Sequence, residues 1–133
     1  MGRPDGPDIE AQYRRYIGRL NSHVVDDLSE FVHDALTYNG RPMSRRDYQD
    51  MLAEDISAIP DLQFEIDRLV VQHDHVACRI NFNCTPEAEF MGLAPNGEPI
   101  SFSEHVFYRF RDGRICEVLS LIDQTAIRQQ LAS

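Results

Sequence analysis

The chain has 133 residues, a length that suits one domain, and 42% are apolar, enough to bury a continuous core without disulfide or metal staples. Its formal net charge of −9 gives no basic stripe for a phosphate backbone and repels anionic membranes, so neither nucleic acid nor membrane is an expected partner. The three cysteines, Cys78, Cys84 and Cys116, lack CxxC spacing and read as buried thiols of a reducing cytoplasm, where we expect the protein to reside.

Residues 1–8, rich in Gly and Pro, read as a flexible leader without the apolar run of a signal peptide, and residues 9–133 as one domain. Ile9, Tyr13, Tyr16, Ile17 and Leu20 recur at helical spacing behind Asp8 as N-cap. A second short helix is expected over Val24–Phe31, then a short strand over Val32–Asn39 entering the Asn39-Gly40 turn. Ser44 caps a third helix, with Tyr48, Met51, Leu52, Ile56 and Ile59 inward, and Pro60 ends it.

From Asp61 the period changes to two. Phe64, Ile66 and Leu69–Val71 mark a strand, His73-Asp74 a turn, Val76–Asn83 a return strand, and Ala88–Met91 a shorter one. Asn96-Gly97 and Asp112-Gly113 supply the positive φ of tight turns. Two long strands, Ile100–Arg111 and Arg114–Asp123, precede a short helix over Thr125–Leu131. Helices followed by a largely antiparallel meander indicate α+β architecture: a strongly curved, mostly antiparallel sheet wrapped over N-terminal helices, closed by a short C-terminal helix. Such a sheet leaves a hollow suited to a small molecule.

Several segments then resemble one family. They are SFSEHVFYRFRDGRICEVLSLIDQTAIRQQ (Ser101 to Gln130), FVHDALTYNGRP (Phe31 to Pro42), the Pro60-Asp61-Leu62 junction and EFMGLAPNGEPISF (Glu89 to Phe102). Together they look like the SnoaL-like polyketide cyclases, or ester cyclases, of the nuclear-transport-factor-2-like superfamily with its cystatin-like cone fold, over roughly Ala11 to Leu131. The resemblance implies ring closure by intramolecular aldol condensation of a polyketide-derived ester, or a related lyase or isomerase reaction. It implies no metal or organic cofactor, and an aspartate near the end of the last strand as general acid/base. Asp123 holds that place. The chain departs from the family where related sequences carry a His-Trp-Asp-like run and this one has Val118, Leu119 and Ser120.

An unbroken hairpin at Asp112-Gly113 sets His105 opposite Ser120, and alternation assigns Ser103, His105 and Phe107, with Leu119, Leu121 and Asp123, to the inward face. A carboxylate among Phe107, Leu119 and Leu121 is poorly solvated and gains a pKa suited to moving a proton at an activated carbon; His105 would polarise the carbonyl or orient Asp123. Equally, Asp123 can serve as the N-cap of the last helix. Tyr38 and Asn39 are expected to face substrate, Asn39-Gly40 also reading as a plain turn, and His33 is a further polar lining residue. Met51 and Phe82 supply apolar wall; Arg79 and Asn81, on one strand face, suit an ester or carboxylate, or a salt bridge to a neighbouring acid. His73-Asp74-His75 has no third ligand and reads as a solvated turn, so no metal is assigned.

Two functions fit these residues. One is a cofactor-independent cyclase or related lyase/isomerase acting on a small apolar carbonyl compound through Asp123. The other, suggested by the missing polar run at Val118–Ser120, is a non-catalytic binder of a small apolar ligand. Both carry the expectation of a homodimer, formed through the apolar strand face of Val106, Tyr108, Phe110, Cys116 and Val118.

Overall fold

The computed structural model describes residues 8–131, so the expected leader, Asp8 excepted, lies outside the described residues. Helix α1 spans Ile9–Asn21. The Asp8 carboxylate accepts the Ala11 N–H at 3.2 Å, while Glu10 in the first turn and Arg19 in the last complement the helix dipole. Its buried face is the expected Tyr13, Tyr16, Ile17 and Leu20, joined by Gln12, whose amide donates to Glu30 O at 2.9 Å and Gly113 O at 3.2 Å.

Residues 24–31 form an irregular loop ending in a turn instead of the expected helix. Their backbone groups find partners on another element: Gln49, itself buried, accepts from Leu28 N at 2.8 Å and donates to Asp26 O at 3.0 Å. With those demands met externally, the segment loses the incentive for its own helical ladder. Leu28 and Phe31 are buried all the same.

Strand β1 (Val32–Tyr38) turns through Asn39-Gly40 into β2 (Arg41–Ser44), a strand the sequence reading did not include. Both turn residues have positive φ, 50° and 82°, the type I′ geometry of two-residue hairpins. Ser44 then caps α2 (Arg45–Ala58), accepting from Asp47 N at 3.0 Å. The meander follows as β3 (Glu65–Gln72), β4 (His75–Cys84), β5 (Ile100–Arg111) and β6 (Arg114–Ile122), and α3 (Gln124–Leu131) closes the described chain. The expected strand at Ala88–Met91 is only an isolated bridge, Phe90↔Leu93, around a turn with positive φ at Met91 and Gly92.

The six strands form one curved, open, mixed sheet in the order β2-β1-β6-β5-β4-β3. All pairs are antiparallel except β1–β6, which is parallel. The helices cover the concave face, giving the α+β cone. The apolar set of that face is Val76, Cys78, Ile80 and Phe82 from β4, Phe102, Val106, Tyr108 and Phe110 from β5, and Ile115 and Val118 from β6, all buried. A run of this length and bulk must be covered to be stable, since each fully buried large side chain contributes about 1.5–3 kcal/mol.

The hairpin register differs from the unbroken one. Phe110↔Ile115 is in the expected register, but a bulge shifts the ladder before Arg109↔Glu117, so His105 faces Leu121 instead of Ser120. Cys116 is the extra residue. His105, Phe107, Leu119 and Leu121 do share a face, but it is the outer one: Phe107 is 53%, Leu119 44% and Leu121 75% exposed. Conversely, Val106, Tyr108, Phe110 and Val118, expected at a subunit interface, form the core under the helices. All three cysteines are free and buried. Among the described residues no helix is long and apolar enough to cross a membrane.

Candidate functional site

Between α1, α2 and the concave sheet lies a cavity of about 60 Å³. Phe82, Phe102 and Val118 supply its apolar floor, and Leu20, Met51 and Leu52 cover it from the helices. Two carboxyl groups interrupt this lining. Glu104 projects from the middle of β5, between Ile80 on β4 and Ile122 on β6. Asp55 projects from α2 at helical spacing from Tyr48 and Leu52.

Glu104 is held by Ser120, whose hydroxyl donates to its carboxylate across the β5–β6 pair. Ser120 is itself placed by Asn39, which accepts the Ser120 N–H at 2.8 Å through its side chain while donating its own N–H to Val118 O at 2.8 Å. Asn39 is thus both the turn residue and an anchor of the strand that carries Ser120. Burial pushes the Glu104 carboxyl above the usual carboxylate range and nearby Asp55 adds to this, while the Ser120 hydroxyl opposes it. Burial, with a smaller contribution from Glu54, pushes the Asp55 carboxyl up to about 6. Asp55 therefore sits where a proton is readily held and released near neutral pH, and Glu104 is shifted in the same direction.

Phenols ring the acids. Tyr16 and Tyr48 are buried, line the cavity, and bring their hydroxyls within 2.6 Å of each other. Tyr38, half-buried at the end of β1, lies close to Ser120 and feels both carboxylates. Burial raises all three phenols above their ordinary value, so they remain protonated donors. Phe90 and Asp55 also line an open outer cleft of about 340 Å³, and so stand between the inner cavity and the surface.

The residues read from sequence are divided by this arrangement. Tyr38, Met51 and Phe82 line the cavity as expected. Asn39 does not line it, but bonds Ser120 N and the carbonyl of the lining residue Val118. Asp123 does not line it: exposed at the start of α3, it accepts the Ala126 N–H at 3.0 Å, the N-cap role. His105, Phe107, Leu119 and Leu121 stand on the outer face because the inward parity is the opposite one. Arg79 is also outside, paired with Asp67 at 3.3 Å and donating to Ser103 Oγ at 3.1 Å. His33 is buried at the hairpin-turn end of the sheet, bonded through Nε2 to Arg111 O at 2.6 Å.

Glu104, Asp55, Tyr16, Tyr48, Ser120 and Phe90 were not read as site residues. One signal for the correct face was present. The even positions of β5 carry Phe102, Val106, Tyr108 and Phe110, whereas the odd positions carry Ser101, Ser103, His105 and Arg109 beside a single Phe107. A lone acid in the apolar row marks a carboxyl meant for the interior. His73-Asp74-His75 is a turn in which His75 Nδ1 meets its neighbour Asp74 at 2.8 Å, and among the described residues no three metal-ligating side chains converge.

No protein of curated function matches this chain by sequence. The family model for SnoaL-like polyketide cyclase matches residues 10–131. A SnoaL-like polyketide cyclase from Agrobacterium tumefaciens is 42% identical, with a TM-score of 0.88, and the match covers 94% of this chain and 98% of that one. Wild-type IdmH from Streptomyces antibioticus (23% identity, TM-score 0.83, 96% and 100% covered) shares the fold. So does TsrD from Streptomyces laurentii (17%, 0.82, 92% and 93%). The family match and the 42% identical relative, each spanning nearly the whole described chain, show that the protein belongs to the SnoaL-like polyketide cyclase family.

Proposed function

We propose that the protein is a cyclase- or isomerase-type enzyme acting on a small carbonyl compound inside the cone, with Glu104 as the general acid/base. The family supports the reaction type; the observation that carries the assignment is a carboxyl group on the cavity floor, desolvated between Ile80 and Ile122 and oriented by Ser120. As carboxylate, Glu104 removes a proton from a carbon flanked by two carbonyls. As carboxylic acid it returns that proton to the new alkoxide or to a different carbon. Such steps are worth about 10²–10⁴-fold each when the pKa lies near the working pH. The family aspartate expected at Asp123 is replaced in this reading by an acid one strand away, with Ser120 standing in the run where relatives carry His-Trp-Asp.

The test is proton exchange, which needs no knowledge of the natural substrate. Methyl 2-methylacetoacetate has one C–H between two carbonyls. We expect the protein to catalyse its exchange in D₂O, and Glu104→Gln to reduce that rate at least a hundredfold. An undiminished rate in Glu104→Gln would refute the assignment.

We also assign the protein a second copy of itself as partner, through the outer sheet face. Val70, Ala77, Phe107 and Leu119 are consecutive cross-strand neighbours over four strands, and Leu121 is the most exposed apolar side chain of that face. A contiguous apolar row of this kind marks an interface.

A further inference from the structure

Asn39 meets two demands that conflict in the backbone. As the first residue of the β1–β2 turn it adopts a φ of 50°, which swings its own carbonyl off the line of β1. Yet β1 pairs in parallel with β6 up to Tyr38↔Val118, and Asn39 carries that ladder one step further by donating its N–H to Val118 O at 2.8 Å. In a parallel ladder such a residue also accepts, through its backbone carbonyl, the N–H two positions further along the partner strand. That N–H belongs to Ser120, and it is the Asn39 side-chain carbonyl that accepts it, at 2.8 Å. The side chain stands in for a backbone oxygen that the turn has redirected. The place of Ser120 matters because the extra residue at Cys116 sets it opposite Val106 and not His105, which turns its hydroxyl to the cavity face and onto Glu104. The β1–β6 ladder is irregular between Val32 and Thr37, so its regular end, from Thr37 to Asn39, is what holds this part of β6 on the β1 side.

We propose that Asn39 is a positioning residue of the site: its side-chain carbonyl completes the β1–β6 ladder, pins Ser120 in the register that the bulge creates, and through Ser120 orients the carboxyl of Glu104. This deepens the reading of Glu104 as base and rests on it for the effect on the reaction, though not for the brace itself. Few side chains meet both demands. Glycine adopts the positive φ freely but brings no acceptor, whereas Asn and Asp tolerate that φ and carry a carbonyl at the right reach. Without the brace the Ser120 N–H turns to water and this part of β6 gains freedom, so the Ser120 hydroxyl spends less time on Glu104. That hydroxyl favours the ionised carboxyl, and its partial loss leaves burial to push the Glu104 pKa further up.

The test is the pH profile of C–H exchange in methyl 2-methylacetoacetate for a graded set of variants. Asn39→Gly keeps the turn and removes the acceptor. We expect its acidic limb to move to higher pH, as in Ser120→Ala, and its rate at the optimum to fall about three- to tenfold. In the double variant with Ser120→Ala, the Asn39→Gly change should move the limb no further, because both act through one hydroxyl. Asn39→Asp, which restores the acceptor, should return most of the rate and bring the limb back; a merely structural turn residue would be served as well by glycine. Amide hydrogen exchange reads the brace directly: the Ser120 N–H should exchange at least about tenfold faster in Asn39→Gly than in the parent or Asn39→Asp. Should Asn39→Gly unfold, Asn39→Ser, whose side chain is one atom too short, takes its place in the same measurements. A limb that stays in place without the acceptor, shifts that add in the double variant, or an Asn39→Asp protein no better than Asn39→Gly overturns the proposal. Failure of the base reading is separate: it is an undiminished exchange rate in Glu104→Gln, and the Ser120 amide still tests the brace in that protein.

Discussion

Ser120 donates its hydroxyl to the carboxylate of Glu104 across the β5–β6 pair, on the face that the sheet turns toward its helices. This bond ties an acid that would otherwise move freely in an apolar hollow to a strand fixed by Asn39. It also favours the ionised form, against the effect of burial.

Removing the bond should therefore move the acid in a known direction. Ser120→Ala takes away the influence that lowers the Glu104 pKa, so the acidic limb of the pH profile for C–H exchange should shift to higher pH. The variant should also be slower at its optimum, because the carboxylate loses its orientation. A profile that stays in place, or moves to lower pH, would contradict this role.

Asp55 acts on Glu104 with the opposite sign. Its charge raises the Glu104 pKa, so Asp55→Asn should shift the same limb to lower pH. Asp55 also has a stability signature. Its carboxyl is held at about 6, above the ordinary carboxylate value, so its contribution to stability is full below about pH 4 and is lost as pH rises through 6. At pH 7.5 the asparagine variant should be more stable than the parent by about 1–2 kcal/mol, allowing for partial solvent access. Thermal melts at pH 4 and pH 7.5 test this: the gain should be confined to the higher pH.

Phe90 stands between the inner cavity and the outer cleft, seated by the tight Met91-Gly92 turn and packed on Phe102 at 5.8 Å. The inner cavity alone is below the several hundred Å³ of ordinary ligand sites, whereas the two spaces joined approach that range. Phe90→Ala should raise kcat/KM for bulky aryl acetoacetates relative to methyl esters by about tenfold. An unchanged ratio would show that ligands enter elsewhere.

On the outer face, Leu121→Arg should dissociate the dimer without unfolding the subunit, because the side chain is 75% exposed in the single chain. Sedimentation at micromolar concentration should give a dimer for the parent and a monomer for the variant. A parent that is monomeric at that concentration would remove the interface.

Much of the fold was legible in the chain because local chemistry decides it. Asp8 and Ser44 cap the helices they precede, and Asp112 and Gly113 both adopt the positive φ that their hairpin demands. The long-range features were not. The parallel β1–β6 pair joins segments separated by most of the chain, with no local mark in either. The 24–31 segment has helical spacing but satisfies its backbone through Gln49, a residue from another element. The lining of the cavity was hidden for a related reason. Asp123 resembles the family acid in position, yet a single extra residue at Cys116 and the identity of the inward face are set by packing against helices. Burying the row of Phe102, Val106, Tyr108 and Phe110 outweighs the cost of turning Glu104 inward, and that balance placed the acid in the cavity.

The most direct test sets the two acids against each other in one assay. Rates of C–H exchange in methyl 2-methylacetoacetate should be measured for the parent, Glu104→Gln and Asp123→Asn. Asparagine is a good N-cap, so Asp123→Asn should keep the fold and stay within about threefold of the parent. Glu104→Gln should lose at least about a hundredfold. The reverse pattern, with activity lost in Asp123→Asn and kept in Glu104→Gln, would return the chemistry to the end of the last strand and contradict the account.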